Sequence, residues 1–488
     1  MFSKKLLTNL LSFTFLVGVS FSSTGCVIIN SQFNIDDYGG EAISDDSFET
    51  ITSKYNDLFE ANPYTGGECT IKFVHWDGDG QAIEMSVLNT MLRGFNLRYP
   101  NIHVKLTILS DYEKAYSTIL TGSDIADVFL MPDGDVMPWA PLNVAEDLGD
   151  YVENSNIVTL DEMYPSSIIR YKYDYSLGRC TDNGTLIALP KDIGPMVMYY
   201  NKAAFRKAGL PYPNNTEIMS LDDAFVMWDQ LKQTNSKGQV IMYGVGGLSI
   251  EGLVWSSGGD FLNESRTAFP AAGTATREGL HKGYEYMQRS YCDMGDGKPC
   301  QVQPPASWTS GSDAAKLFSN QMLACFVGLK SRVAQFRKLN FDWNVCPVPA
   351  NTINPTANAW SGSVGYSLYK GSRHKEAAWK LIEYIASKEG QELMSATGFQ
   401  IPVYPALAEQ PDYIERESNN KPANFTCFLQ AAELQPIGLW SYHRNQLWLQ
   451  EALNLDSEKL FADDPSERLT VDQFFALTEP HVNQKLNQ

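Results

Sequence analysis

From residue 70 onward, apolar positions switch between short continuous runs and the three- and four-residue steps of a helix. Thr70 to Trp76 reads as a strand that breaks into the polar turn Asp77-Gly78-Asp79-Gly80. Met85, Leu88, Met91, Leu92 and Phe95 then share one helical face, and the helix stops near Tyr99 because Pro100 disfavours a helical residue before it. Ile102 to Leu109 is a second strand, Tyr112 to Leu120 a second helix and Asp127 to Met131 a third strand. This order predicts a parallel, doubly wound α/β sheet. Ligands of such sheets bind outside the carboxyl ends of the strands. Trp76, Asp77 and Asp79, then Met131, Asp133 and Asp135, are therefore the first cleft candidates.

The second half repeats the pattern. Leu221 to Leu231 is an amphipathic helix, Val240 to Val245 a strand running into Gly244 to Gly247, and Leu317 to Val327 a helix leading into a strand. Near Trp360 the chain becomes glycine-rich, and Glu376 to Met394 is a helix with Ala377, Ala378, Leu381, Ile382 and Ile385 on one face. Two α/β lobes account for this better than one.

The N-terminus follows other rules. Lys4 and Lys5 precede the apolar run Leu6 to Phe21, which is interrupted by Ser, Thr and Asn and falls short of the ~20 residues a spanning helix needs. This is an export signal, residues 1–25, and Ser23-Thr24-Gly25-Cys26 resembles the lipobox of bacterial lipoproteins, with Ser23 where Leu is usual. The resemblance implies a lipid-modified Cys26 holding the protein to the outer face of the cytoplasmic membrane or in the periplasm. Each buried methylene of such a chain contributes ~0.8 kcal/mol. Residues 26–68, with Asp36, Asp37, Glu41, Asp45, Asp46 and Glu49 among Gly, Ser and Asn, read as an acidic linker.

Composition narrows the function. The 488 residues hold 38 Lys+Arg against 57 Asp+Glu, a net charge of -19, which argues against a nucleic-acid partner. Beyond Cys26, seven cysteines remain and cannot all pair; Cys292 and Cys300, bracketing a Gly/Asp/Pro loop, are the best disulfide candidates. No phosphate loop, dinucleotide fingerprint, HExxH helix or GxSxG elbow occurs, and six scattered histidines suggest no metal site. No cofactor is implied. Two carboxyls at suitable separation suffice for glycoside hydrolysis, so a secreted enzyme of that kind stays open beside a binding protein and an adhesive lipoprotein.

Several segments, in order, resemble the extracellular solute-binding proteins of bacterial carbohydrate ABC importers, the maltose-binding-like class. Phe95-Asn96-Leu97-Arg98-Tyr99-Pro100-Asn101-Ile102-His103-Val104 is similar to that family's step after the first helix. Leu120-Thr121-Gly122-Ser123-Asp124-Ile125-Ala126-Asp127-Val128 resembles the next, with Ala126 where Pro is common. Leu189-Pro190-Lys191-Asp192, Tyr199-Tyr200-Asn201-Lys202, Trp255-Ser256-Ser257-Gly258-Gly259, Ala377-Ala378-Trp379 and Thr397-Gly398-Phe399-Gln400-Ile401-Pro402-Val403 follow.

The resemblance implies a two-lobed periplasmic-binding-protein fold of type II, an α/β architecture whose doubly wound sheets are joined by crossover hinge strands. The crossovers are expected near Gly194 to Tyr200, Trp360 to Leu368 and residues 400–430. Residues 69–195 with 366–425 would form the N-terminal lobe, and 196–365 with 426–488 the C-terminal lobe. A sugar site needs aromatic faces for the C–H faces of a pyranose, each worth ~0.5–1.5 kcal/mol beyond area burial, and a few polar groups for its hydroxyls. By position, Trp76 and Asp77 match the family's first cleft loop, Met131 and Asp133 its third-strand loop, and Asp192 its hinge carboxylate. Trp440 and Arg444 resemble a ligand-contacting pair of the C-terminal lobe, and Trp255, Trp308 and Trp360 complete the expected site. Met131 stands where maltose binders carry a stacking Trp, and Gly328-Leu329-Lys330 where they carry Gly-Pro-Trp, so the expected ligand is a sugar or oligosaccharide other than maltose. Lys330 would meet an acidic sugar or simply be solvated. A monomer that hands its sugar to permease subunits is the implied partnership; a non-sugar solute is the alternative.

Overall fold

The computed structural model describes residues 27–29, 43–76, 82–109, 126–308, 313–454, 457–462 and 464–488. The expected turn at Asp77 to Gly80 and the helix at Tyr112 to Leu120 lie outside them.

In the first lobe, the strand β1 (Val27–Ile29) pairs antiparallel with the outer edge of the sheet. Its core is parallel. β2 (Cys69–Trp76) runs alongside β3 (Ile102–Leu109) from Cys69 opposite Ile102 to Trp76 opposite Leu109, and beside β4 (Val128–Pro132) on its other edge. Strand Val364–Leu368 then joins β4 antiparallel, and Leu189–Pro190 closes the order. Ile71, Phe73, Leu106, Val128 and Phe129 are wholly buried, as expected of central strands covered on both faces. The helix Ala82–Arg98 packs on Lys388–Ala396, and Lys375–Ala386 packs on β2, β4 and Val364–Leu368.

The second lobe is built around strand Met196–Asn201, flanked antiparallel by Cys325–Leu329 and Trp343–Cys346. A parallel bridge from Tyr243 to Leu323 extends this layer, although the strand expected over Val240 to Val245 is only Val240–Met242 and pairs in a small hairpin with Gln233–Thr234. Helices Leu221–Leu231, Ile250–Ser256 and Ala275–Tyr291 cover the lobe, and Leu447–Asn454 and Val471–Leu486 add a further apolar cluster around Trp448, Phe474 and Phe475.

Two sequence expectations change here. The acidic linker does not extend to residue 68, because Asp45–Ser53 and Asn56–Glu60 are helices whose Phe48, Ile51 and Phe59 are buried in the first lobe. Phe48, Ile51, Tyr55, Leu58 and Phe59 recur at helical steps that the intervening acids obscure. Ser44 caps the first helix, its Oγ accepting from the Ser47 N–H at 3.2 Å. Arg98 clamps this arm down: it donates to the Thr52 carbonyl at 2.5 Å, to Asn56 Oδ1 at 2.8 Å and to Glu389 Oε2 at 2.6 Å. The lobe boundary moves too. Tyr404 and Leu407 belong to the first core, whereas Ala408, Tyr413 and Phe425 share the second lobe's core with Tyr199, Phe326 and Trp343. Residues 408–425 therefore sit with the second lobe, because the aromatics of that stretch pack there.

Among the described residues, no helix is long and apolar enough to cross a membrane. Cys292 and Cys300 are not joined by the expected disulfide; Cys292 is buried, with its Sγ 3.9 Å from the Ala462 carbonyl.

Candidate functional site

The crossovers meet at a glycine pair. Gly194 and Gly362 exchange backbone hydrogen bonds of 2.8 and 2.9 Å, and a bridge from Ile193 to Ile401 brings in the third connection. Expected site residues lie around this junction.

Asp133 begins a 3-10 turn at the carboxyl end of β4. Its carboxylate is taken up by the protein: Oδ2 accepts from Arg170 Nη1 at 2.5 Å and from the Ser363 N–H at 3.0 Å, and Oδ1 from the Gly134 N–H at 2.9 Å. Burial pushes its pKa up against the pull of Arg170 and these two N–H groups. Sequence reasoning put Asp133 at the right strand end but gave it a solute-contacting role that its own hydrogen bonds already occupy. Met131, its neighbour, is fully buried in the first core.

Asp192 holds the first crossover. Its Oδ1 accepts from the Val364 N–H at 3.1 Å, while Oδ2 lies 3.8 Å from Lys191 Nζ and the side chain keeps 17% of its exposure. Burial raises its pKa, and Lys191 opposes that rise. Lys191 is itself buried and paired to Glu84.

Trp360 and Trp440 come from segments eighty residues apart and meet edge to face, their ring centroids 4.9 Å apart. Each is half-buried, and the Trp440 indole N–H is buried without an acceptor among the described residues. The Trp440 ring lies over the backbone of Gly438, where a Cβ would come within 1.9 Å of it, so only glycine allows this placement. The turn Leu439–Ser441 carrying Trp440 touches Asp133–Asp135 and Val136–Trp139 of the first lobe. Arg444 also crosses between lobes, its stem packing over the positive-φ Gly178 at the hairpin turn of the small three-stranded sheet formed within 172–186. Arg179 Nη1, beside that glycine, donates to the Ser265 carbonyl at 3.3 Å.

The remaining expectations divide. The side chain of Trp76, at the carboxyl end of β2, and the whole of Asp77 lie outside the described residues. Trp255 is a core residue on helix Ile250–Ser256, 6% exposed, with its indole N–H on Asp260 Oδ1 at 3.3 Å; burial on a helix face removes it from the site. Trp308 is 47% exposed, its ring edge against Tyr243. Lys330 is neither solvated nor free for an acidic sugar: it is 2% exposed and donates to the carbonyls of Gly398 at 3.0 Å and Phe399 at 2.7 Å. Burial pushes its pKa down to about 8. It ties the end of a second-lobe strand to the third crossover. Arg170, wholly buried and central to the junction, was not found from sequence, because its neighbours Ser166 to Lys172 match no motif. Among the described residues no group of His, Cys, Asp or Glu could hold a metal ion.

The family model for bacterial extracellular solute-binding proteins matches residues 78–392. A curated binding protein of Brucella abortus is 26% identical over 270 residues, a match spanning 52% of this chain and 59% of that relative. Among solved structures, an ABC substrate-binding protein of Listeria monocytogenes in complex with cycloalternan superposes with a TM-score of 0.66 at 19% identity, covering 86% of this chain and 99% of that one. The sugar-binding protein MalE of Xanthomonas citri gives 0.65 at 18% identity over 86% and 98%. UgpB of Mycobacterium tuberculosis, in complex with glycerophosphocholine, gives 0.63 at 19% identity over 86% and 99%. These likenesses establish the two-lobed fold. With the family model covering more than half its length and the crossovers meeting between two lobes, the chain belongs to the bacterial extracellular solute-binding proteins.

Proposed function

We propose that this protein captures a sugar or oligosaccharide between its lobes and delivers it to the permease of an ABC importer. The Trp360–Trp440 pair carries the reading. A buried indole N–H without an acceptor costs about 1–3 kcal/mol, and a solute hydroxyl placed there would relieve that cost while a pyranose C–H face packs on the rings. Trp440 sits on the element that faces the first lobe's cleft loop. The site we assign comprises Trp360, Trp440, Asp192 and Arg444, together with Trp76 and Asp77 of the first cleft loop. The cycloalternan complex of the Listeria protein and the sugar-binding Xanthomonas protein support a carbohydrate, and the family supports a transport role. Capture is favoured over glycoside hydrolysis because the matching family and the similar structures are binding proteins.

We also propose that residues 1–25 are removed on export and that lipid on Cys26 tethers the mature chain outside the cell membrane. Mass spectrometry of the mature protein and release of a Cys26→Ala variant into the medium test this. For the solute, the decisive experiment is a thermal-shift and Trp-fluorescence panel of mono- and oligosaccharides, with glycerophosphocholine as the non-sugar arm. A solute at a hundredfold over Kd stabilises the folded state by about 2.7 kcal/mol. No shift with any sugar would sink the carbohydrate assignment, and sugar turnover would establish an enzyme instead.

A further inference from the structure

Arg170 belongs to no motif of the family resemblance, yet it has the most demanding position at the junction. Its side chain is wholly buried. Nε donates to the Ser166 carbonyl at 2.6 Å, Nη1 to Asp133 Oδ2 at 2.5 Å and to the Ser361 carbonyl at 2.8 Å, and Nη2 to Ser361 Oγ at 2.8 Å. One guanidinium thus grips the cleft loop of the first lobe and the entry to the second crossover at once. Ser361 is also held from the other side, since its N–H donates to the Pro436 carbonyl at 3.0 Å, two residues before Gly438 and the turn that carries Trp440. On the far side of Gly362, Ser363 bonds back to the same network: its Oγ donates to the Asp192 carbonyl at 2.7 Å and accepts from the Tyr171 hydroxyl at 3.1 Å.

A planar fork that engages both the carbonyl and the hydroxyl of one residue fixes that residue's orientation as well as its distance, which a point charge such as an ammonium does not do. We infer that Arg170 is a positioning residue of the solute cleft: by pinning Ser361 to Asp133 it sets the lobe angle at which the Trp360–Trp440 pair faces the first lobe. Bending during opening is then displaced from the glycine pair toward Trp360 and Pro436. The inference rests on the cleft assigned above for its effect on affinity, but its effect on lobe geometry is independent of any solute.

The test is Arg170→Lys, which keeps a cation opposite Asp133 and loses the fork to Ser361. In the full-length protein without solute, small-angle scattering and energy transfer between dyes at the exposed positions Leu97 and Leu477 report the lobe angle. The expected result is a shift toward wider separation with a broader distribution, together with an approximately tenfold loss of affinity for any solute the wild type binds. A lobe-angle distribution identical to wild type overturns the inference, whatever happens to melting temperature, because that is the signature of a residue acting on stability alone. A wild type that binds no solute defeats the cleft reading, yet leaves the lobe-angle measurement intact. Should Arg170→Lys fail to fold, Ser361→Ala removes only the hydroxyl acceptor and is expected to give a smaller shift of the same sign; its absence would equally refute the inference.

Discussion

Replacing Arg98 with Met isolates the clamp that holds the N-terminal arm. The thioether chain keeps most of the apolar stem but removes the guanidinium that Glu389, the Thr52 carbonyl and Asn56 share. Glu389 is wholly buried, and after the substitution its carboxylate retains only the Tyr384 hydroxyl at 2.9 Å among these partners. Breaking a buried ion pair costs about 3–5 kcal/mol, and the surviving Tyr384 bond places this case near 3. The cation lying 4.8 Å from the Phe59 ring centroid adds about 0.5–1 kcal/mol. The total is about 4 kcal/mol, or a fall in melting temperature of roughly 8–16 °C for a lobe of this size. Calorimetry at neutral pH measures it, and limited proteolysis should show new cleavage within 45–60 as the arm loosens. Burial already raises the Glu389 pKa even with Arg98 in place, so without that cation the acid protonates more readily. The stability deficit should therefore shrink as pH falls through the acidic range, since a protonated Glu389 needs no counter-ion. A loss below about 1 kcal/mol, or a deficit that does not change with pH, would refute the clamp.

Three further outcomes follow from the same geometry. Burial lowers the folded-state pKa of Lys330 to about 8, below the unfolded value of 10.5, so the folded state binds fewer protons between these limits and its stability rises with pH through that window, by up to about 3 kcal/mol; urea titrations of wild type and Lys330→Met from pH 7 to 10.5 should diverge in that sense, and parallel curves would contradict it. Gly279 and Gly259 touch where helix Ala275–Tyr291 meets the preceding loop, and a Cβ on Gly279 would lie 2.2 Å from the Gly259 nitrogen; Gly279→Ala should destabilise by about 1–3 kcal/mol in denaturant melts, and a neutral result would refute the close packing. Trp440→Phe retains an aromatic face but deletes the orphaned indole N–H, so calorimetric titration should show weaker binding of the cognate sugar by about tenfold while the unliganded melting point holds or rises; unchanged affinity would remove Trp440 from the site.

Local pattern carried much of the fold. The strand-helix rhythm and the switch-point rule placed Asp133 at the carboxyl end of its strand, whereas Asp192 was implied only by the family resemblance. The crossovers near Gly194 and Trp360 were implied by the family resemblance, and the structure brings them together at the Gly194–Gly362 pair. Interspersed acids hid the helices at 45–60, since their apolar stripe is spread thinly over sixteen residues. The aromatics of residues 408–425 gave no sign of which lobe would bury them.

Periodicity, turn chemistry and composition are properties of neighbouring residues, and they determined the two-lobed α/β class and much of the element order. The partner of each side chain is a property of the whole packed chain, and only the tertiary structure decided it. It turned Asp133 from a solute ligand into the acceptor of Arg170, buried Lys330 between crossover carbonyls, consigned Trp255 to a core and brought Trp360 against Trp440. The physical reason is the same each time: a charge or an indole N–H removed from water must be satisfied by whatever lies beside it in space, and sequence distance carries no information about that neighbour.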